Sequence, residues 1–125
     1  MNLETLLLVI GILLMHYVFD FLLQSHWMAT NKSKDDWALT LHALTYTLGL
    51  ALVAIAMWCE EIMTPQCAAT WVLANSCLHF YTDYLTSRIN ARLFGVDWHN
   101  FFAMVGGDQM IHYCCLFTTL YLYCK

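Results

Sequence analysis

Residues 3–24 read LETLLLVIGILLMHYVFDFLLQ, and this stretch decides the class of fold. A helix needs about 20 mostly apolar residues to cross a hydrocarbon core of roughly 30 Å, and the stretch is long enough. Glu4 lies at its outer edge, and His16 and Asp20 are the only strongly polar residues inside it. The acidic start and the lack of a small-residue cleavage site argue against a secretory signal peptide. We therefore expect a membrane-spanning helix over residues 3–24.

Three further stretches fit the same requirement, at about residues 37–59, 67–87 and 107–124. Gly106 and Gly107 interrupt the apolar pattern before Asp108, so we expect residues 88–107 to form an amphipathic connector at the membrane interface. The sequence thus predicts an all-α, polytopic membrane protein. Residues 1–125 would form a single transmembrane domain, a four-transmembrane-helix bundle with that connector before the last helix.

The composition agrees with a membrane protein and excludes several other classes. Apolar residues make up 61% of the chain and charged residues 11%, against roughly 45–50% and 25% in ordinary globular proteins. A formal net charge of −4 excludes a basic surface for nucleic acid. The expected partners are the lipid bilayer and either further copies of the chain or another membrane protein.

Aromatic and basic residues predict how the bundle lies in the membrane. The five tryptophans fall at predicted span boundaries, where indole rings prefer to lie: Trp27, Trp37, Trp58, Trp71 and Trp98. Lys32 and Lys34 lie in the first loop and Arg88 and Arg92 beside the third, whereas the second loop has no Lys or Arg. Basic loops stay on the cytoplasmic side. Loops 1 and 3 are therefore predicted to be cytoplasmic and both termini to lie outside.

The six cysteines form neither a zinc-knuckle spacing nor a C-x-x-C pair. Most are expected to fill the membrane core. Cys59, Cys67 and Cys124 lie near the predicted outer side, and a Cys59–Cys67 disulfide could form there if that side is oxidising.

Histidines and aspartates recur in pairs four residues apart, and each pair lies in a different predicted helix: His16 and Asp20, His79 and Asp83, and Asp108 and His112. Residues at i and i+4 share one face of a helix, and random placement would give roughly 0.6 such pairs. A single pair is more often hydrogen-bond glue between helices. Three pairs, with His42 in the remaining helix, favour a metal or proton site.

In an up-down bundle these side chains all fall at one level, in the cytoplasmic half. The predicted metal ligands are His16, Asp20, His42, His79, Asp83, Asp108 and His112. Gln24 and Gln109 would support the ligands from behind, whereas His26 and His99 fall in interfacial loops. Imidazole and carboxylate suit borderline divalent ions, with zinc the first candidate and manganese or iron the alternatives. Two ions and a bridging hydroxide would neutralise the three aspartates.

The motifs occur in a recognisable order: His16-x-x-x-Asp20-Phe21-x-x-Gln24, then His42, then His79-x-x-x-Asp83, then Asp108-Gln109-x-x-His112. In this order they resemble the domain-of-unknown-function 3307 family of small bacterial and phage integral membrane proteins. The resemblance covers roughly residues 3–123. It implies a small multi-pass membrane protein and brings no established activity. We expect the protein in the bacterial inner membrane.

Three functions remain open on the sequence. The first is a metal-dependent hydrolase, in which an ion activates water against a phosphate or acyl group of a membrane-proximal substrate and Asp108 serves as general base. The second is a proton- or ion-conducting protein that uses the same layer of His and Asp. The third is a non-enzymatic, phage-type module that binds another membrane protein.

Overall fold

The computed structural model describes residues 2–124, and the described part of the chain is all-helical without strands. It contains five α-helices: α1 (Leu3–Tyr17), α2 (His26–Asn31), α3 (Asp36–Cys59), α4 (Pro65–Leu93) and α5 (Trp98–Tyr123). A π-helical segment, Val18–Leu22, continues α1 before the chain turns into the short α2. The all-α fold predicted from the sequence is confirmed.

Short polar side chains set where the long helices begin. Asn2, Asp35, Thr64 and Asp97 each precede a helix and accept a hydrogen bond from a backbone N–H of its first turn. These bonds satisfy donors that have no partner within the helix. At Asp97, bonds from the backbone N–H and the side-chain amide of Asn100 also hold the pKa of the carboxyl below its ordinary value.

The long helices pack around one apolar core. Helix α3 packs against α1 and α4, and α4 packs against α5. The core consists of Ile12, Met15, Tyr46, Leu50, Ala54, Met57, Met63, Cys67, Trp71 and Leu116. The fully buried Trp71 donates its indole N–H to the Leu116 carbonyl at 3.0 Å. This bond ties α4 to α5 and satisfies the one polar group of the indole ring.

Two stretches are long and apolar enough to span a membrane. They are Leu3–Leu22, with a mean hydropathy of 2.1, and Asp36–Cys59, with a mean hydropathy of 1.8. Helices α4 and α5 have 29 and 26 residues and exceed the required length, but their sequences are more polar. The bundle of four membrane-spanning helices therefore stays a prediction.

The prediction that residues 88–107 form an interfacial connector is wrong. Helix α4 continues to Leu93, and the chain reverses over four residues that include Gly95 with a positive φ of 76°. Asp97 then caps α5, which starts at Trp98 rather than near residue 107. Gly106 and Gly107 lie inside α5 and do not break it. A methyl group in place of a hydrogen at either position would meet no atom within 4 Å.

Two smaller predictions also need correction. Four of the tryptophans are between 44% and 61% exposed, but Trp71 is fully buried because α5 covers it. The disulfide joins Cys67 to Cys124, with their Cα atoms 5.3 Å apart, and not Cys59 to Cys67. Cys67 pairs with Cys124 because the end of α5 lies beside the first turn of α4. Cys59 is left as a free, exposed thiol.

Candidate metal centre

All seven residues predicted as ligands meet in the interior of the bundle, and we call them the His/Asp cluster. Its members are His16, Asp20, His42, His79, Asp83, Asp108 and His112. Each is buried, and Asp108 is the most exposed at 8%. His26 and His99 are exposed and lie outside the cluster.

Helix geometry explains how the cluster assembles. Helix α4 carries His79 and Asp83 on one face, and α5 carries Asp108 and His112 in the same way, because residues four apart are neighbours on a helix. His16 lies in the last turn of α1, and Asp20 follows in the π-helical segment, where Leu23 N–H bonds to the Val18 carbonyl at 2.8 Å. Such π turns are rare and often occur at functional sites.

The tightest group within the cluster consists of Asp20, His42, His79 and Asp83. His42 Nε2 lies 2.9 Å from Asp83 Oδ2, 3.0 Å from Asp20 Oδ1 and 3.3 Å from His79 Nε2. His79 Nε2 lies 3.7 Å from Asp20 Oδ1 and 4.0 Å from Asp83 Oδ2. A tetrahedral zinc ion bound at about 2.0–2.2 Å separates its ligand atoms by roughly 3.3–3.6 Å. This group could hold a metal ion with small adjustments.

The carboxylates of Asp20 and Asp83 also face a second set of imidazoles. Asp20 Oδ2 lies 3.5 Å from His16 Nε2, and Asp83 Oδ1 lies 3.5 Å from His112 Nε2. His112 Nδ1 is in turn 3.7 Å from Asp108 Oδ2. Asp20 and Asp83 thus each direct one carboxylate oxygen to His42 and the other to an imidazole of the second set. A carboxylate that bridges two metal ions needs this arrangement.

Several buried imidazole nitrogens of the cluster lack a hydrogen-bond partner in the described structure. The Nδ1 atoms of His16, His42 and His79 are among them, as are both ring nitrogens of His112. Buried polar atoms are normally paired, because an unpaired one costs roughly 1–3 kcal/mol. Both ring nitrogens of His112 are unpaired although the residue is only 2% exposed, so they have unused capacity to bind a ligand.

Sequence reasoning placed Lys32 in a loop and missed its contact with the cluster. Lys32 Nζ donates a hydrogen bond to Asp83 Oδ2 at 2.7 Å and lies 3.3 Å from His42 Nε2. No helical periodicity links Lys32 to these residues, so only the tertiary fold reveals the contact. Tyr46 was also missed, although it follows His42 by one helical turn. Its ring stacks on the His79 ring at a centroid distance of 3.8 Å.

The two glutamines predicted to support the cluster differ. Gln109 donates to Asp108 Oδ2 at 2.9 Å and to Asp20 Oδ2 at 3.3 Å, and its oxygen lies 2.8 Å from His16 Nε2. Thr86 completes the support by donating to Asp108 Oδ1 at 2.6 Å. The side-chain oxygen of Gln24 is buried without a hydrogen-bond partner, and Gln24 lines a neighbouring pocket instead.

That pocket has a volume of about 480 Å³ and leads from the surface to the cluster. Asp20, Asp108 and Gln109 form its inner end. The other lining residues come from the segment 21–34, from the end of α4 and the turn after it, and from the first part of α5. The cluster is therefore buried but accessible from one end of the bundle.

Comparison with known proteins identifies the family of the chain. The model of the family described as "Protein of unknown function (DUF3307)" matches residues 8–125, which is nearly the whole chain. No curated protein and no solved structure matches the chain significantly. The chain therefore belongs to this family, as the order of its His and Asp motifs predicted.

Proposed function

We propose that this family member is an integral membrane protein that binds a divalent metal ion in the His/Asp cluster and hydrolyses a membrane-proximal substrate. The observation that carries the proposal is the convergence of four ligand atoms from Asp20, His42, His79 and Asp83, from three segments distant in sequence. Burying two carboxylates and two imidazoles together is costly unless a cation compensates the charge. The Lys32 ammonium compensates only part of it.

The donor set supports zinc as the first candidate. Two imidazole nitrogens and two carboxylate oxygens suit zinc, and manganese or iron could also be held. The second oxygens of Asp20 and Asp83, with His16, His112 and Asp108 beyond them, leave room for a second ion. Two cations and a hydroxide would balance the three buried carboxylates.

Basic residues support an orientation with the cluster near the cytoplasm. Lys32 and Lys34 line the pocket that leads to the cluster. At the same end of the bundle, Arg88 pairs with Asp36 at 2.7 Å and so joins α4 to the start of α3. Because basic residues are retained on the cytoplasmic side, this end faces inward and both termini lie outside. In bacteria the corresponding membrane is the inner membrane.

A hydrolytic role follows from the position of Asp108. A divalent ion held by the cluster would lower the pKa of a bound water to about 7. Asp108 lies at the inner end of the pocket, so its carboxylate can take the proton of the attacking water. The water oxygen bonds to the phosphorus or carbonyl carbon while the bond to the leaving oxygen breaks. Asp108 then returns the proton to the leaving oxygen.

Proton conduction is the second candidate, because the cluster contains many titratable groups. Conduction needs a polar path through the bundle. Beyond the cluster, Asn75 donates a hydrogen bond to Thr119 at 2.7 Å, but neither side chain is ionisable. The side chains packed at this level are apolar and have no exposure, among them Ile12, Leu50, Trp71 and Leu116. This packing favours a site open at one end and therefore the hydrolase.

Metal analysis of the full chain purified in detergent tests the proposal. After loading with zinc and removal of free ions, the wild type should retain at least one ion per chain. His79→Ala should lose it, and His99→Ala, a change at an exposed histidine, should not. Hydrolysis of p-nitrophenyl phosphate or acetate should require the ion. A wild-type protein that retains no metal, or activity unchanged after chelation, would overturn the proposal.

A further inference from the structure

We propose that the pocket beside the cluster binds a phosphorylated amphiphile, with its phosphate at Lys32 and Lys34 and its hydrocarbon chain along the phenylalanines that line the same pocket. This inference deepens the proposed function and rests on it for the reaction. It identifies the substrate class as a phosphate monoester of a lipid.

The first support is a set of buried polar atoms that have no partner in the described structure. Ser87 Oγ, Asn90 Oδ1 and Gln24 Oε1 all belong to residues that line the pocket. Ser87 is only 8% exposed, so water reaches its hydroxyl poorly. Buried polar groups are normally hydrogen-bonded, so these three atoms call for a partner that the described structure does not contain. A phosphate oxygen would accept from Ser87, and hydroxyl groups of a headgroup would donate to the two amide oxygens.

The second support is the positive charge of the pocket lining. Lys32 and Lys34 line the pocket, and Lys32 already donates to Asp83 of the cluster. When a divalent ion binds Asp83, it repels the neighbouring ammonium, and Lys32 becomes free to turn toward the pocket. The metal and a phosphate would thus bind cooperatively, because each takes one partner of the same ion pair.

The third support is the apolar part of the same pocket lining, formed by Phe21, Phe94, Phe101 and Val105. Phe21 is 41% exposed and Phe94 is 61% exposed. Phe94 also contacts the rings of Trp98 and Phe101 at centroid distances of 5.1 and 5.5 Å. Trp98 is 51% exposed, and exposed indole rings at the end of a membrane bundle lie at headgroup level. A hydrocarbon chain can therefore pass from the pocket into the bilayer without crossing a polar surface.

The combination selects one headgroup. A volume of about 480 Å³ accommodates a headgroup and the first part of a chain. A monoester phosphate brings up to two negative charges to two lysines and a metal ion. A phosphocholine would instead bring a cation next to Lys34, and a fatty acid would bring only one negative charge and no hydroxyl.

Native mass spectrometry of the zinc-loaded full chain in an uncharged detergent provides the test. The probes are oleoyl lysophosphatidic acid, oleoyl lysophosphatidylcholine, oleic acid and glycerol 3-phosphate. One lysophosphatidic acid should bind per chain, about tenfold more tightly than each of the other three. Removal of zinc should weaken its binding.

Variants locate the binding. Lys34→Gln and Asn90→Leu should each weaken lysophosphatidic acid about tenfold, whereas Arg92→Gln, a change at an exposed basic residue of α4 outside the pocket, should not. Equal binding of lysophosphatidic acid and lysophosphatidylcholine, glycerol 3-phosphate binding as tightly as the lipid, or equal effects of Lys34→Gln and Arg92→Gln would each overturn the inference. Zinc content reports separately on the proposed function, because Lys34 and Asn90 are not ligands. Zinc bound without lipid selectivity would leave the proposed function intact and remove the inference.

Discussion

The Lys32 ammonium lies 2.7 Å from Asp83 Oδ2 and occupies one side of the tightest group of candidate ligands. The Lys32 side chain is 19% exposed and that of Asp83 is 2% exposed, so the pair links the pocket to the interior. A lysine in this position acts as a resident cation that compensates the buried carboxylates. A divalent ion must compete with it for the same oxygen.

Replacing Lys32 with methionine should therefore raise zinc affinity and lower the stability of the metal-free protein. Without the ammonium, we expect about tenfold tighter zinc binding and a loss of about 1–3 kcal/mol of unfolding free energy, because Asp83 loses its charged partner. Competition with a chromophoric chelator measures the affinity, and thermal unfolding in detergent measures the stability. Lys34→Met is the control and should leave both unchanged. Weaker zinc binding by Lys32→Met would mean that Lys32 supports the site.

Changing Asp83 to asparagine should separate metal binding from hydrogen bonding. Asparagine keeps the size and can still accept from Lys32, so the bundle should lose less than about 1 kcal/mol. The anionic ligand is gone, and zinc affinity should fall at least about a hundredfold, because even residues that only support a ligand contribute about 10–100-fold. Combining Asp20→Asn with Asp83→Asn should cost less than the sum of the single effects, because both residues bind as one unit. Strictly additive losses would argue against a shared centre.

Gly49 should not tolerate alanine. A methyl group at Gly49 would overlap the ring of Phe19, which lies in the π-helical segment next to Asp20. We expect Gly49→Ala to destabilise the protein by about 1–3 kcal/mol and to weaken metal binding by displacing Asp20. Gly107→Ala is the matched control. It lies in α5 in open space and should stabilise by about 0.5–1 kcal/mol. Unchanged stability of Gly49→Ala would show that Phe19 moves freely.

The disulfide should report on membrane orientation as well as on stability. Cys67 and Cys124 are 57 residues apart, and removing the bond by Cys67→Ser should cost roughly 2–4 kcal/mol of unfolding free energy.

The bond forms if this end faces the oxidising outer side, as the predicted orientation requires. In intact cells, an impermeant maleimide should label Cys59 and fail to label a cysteine placed at Ser33. Labelling at position 33 from outside would reverse the orientation.

The sequence was most informative where local periodicity decides the structure. Residues four apart in an α-helix share one face, so the pairing of His79 with Asp83 in α4 and of Asp108 with His112 in α5 needed no tertiary information. The start of α5 was missed because Gly106 and Gly107 were expected to break a helix, while the cap at Asp97 was overlooked. Lys32 could not be found, since its contact depends on how the first loop folds back over the bundle. The same holds for the pairing of Cys67 with Cys124.

The π-helical turn at Val18–Leu22 has a consequence for tracing the ancestry of this site. A π turn accommodates one residue more than an α turn, so the chain after it is offset by one position from a continuous helix. A relative with a regular α-helix here would have one residue fewer between His16 and Gln24. A single-residue gap at that point in an alignment would mark lineages without the π turn. Where the gap coincides with loss of Asp20 or Lys32, the turn and the site arose together.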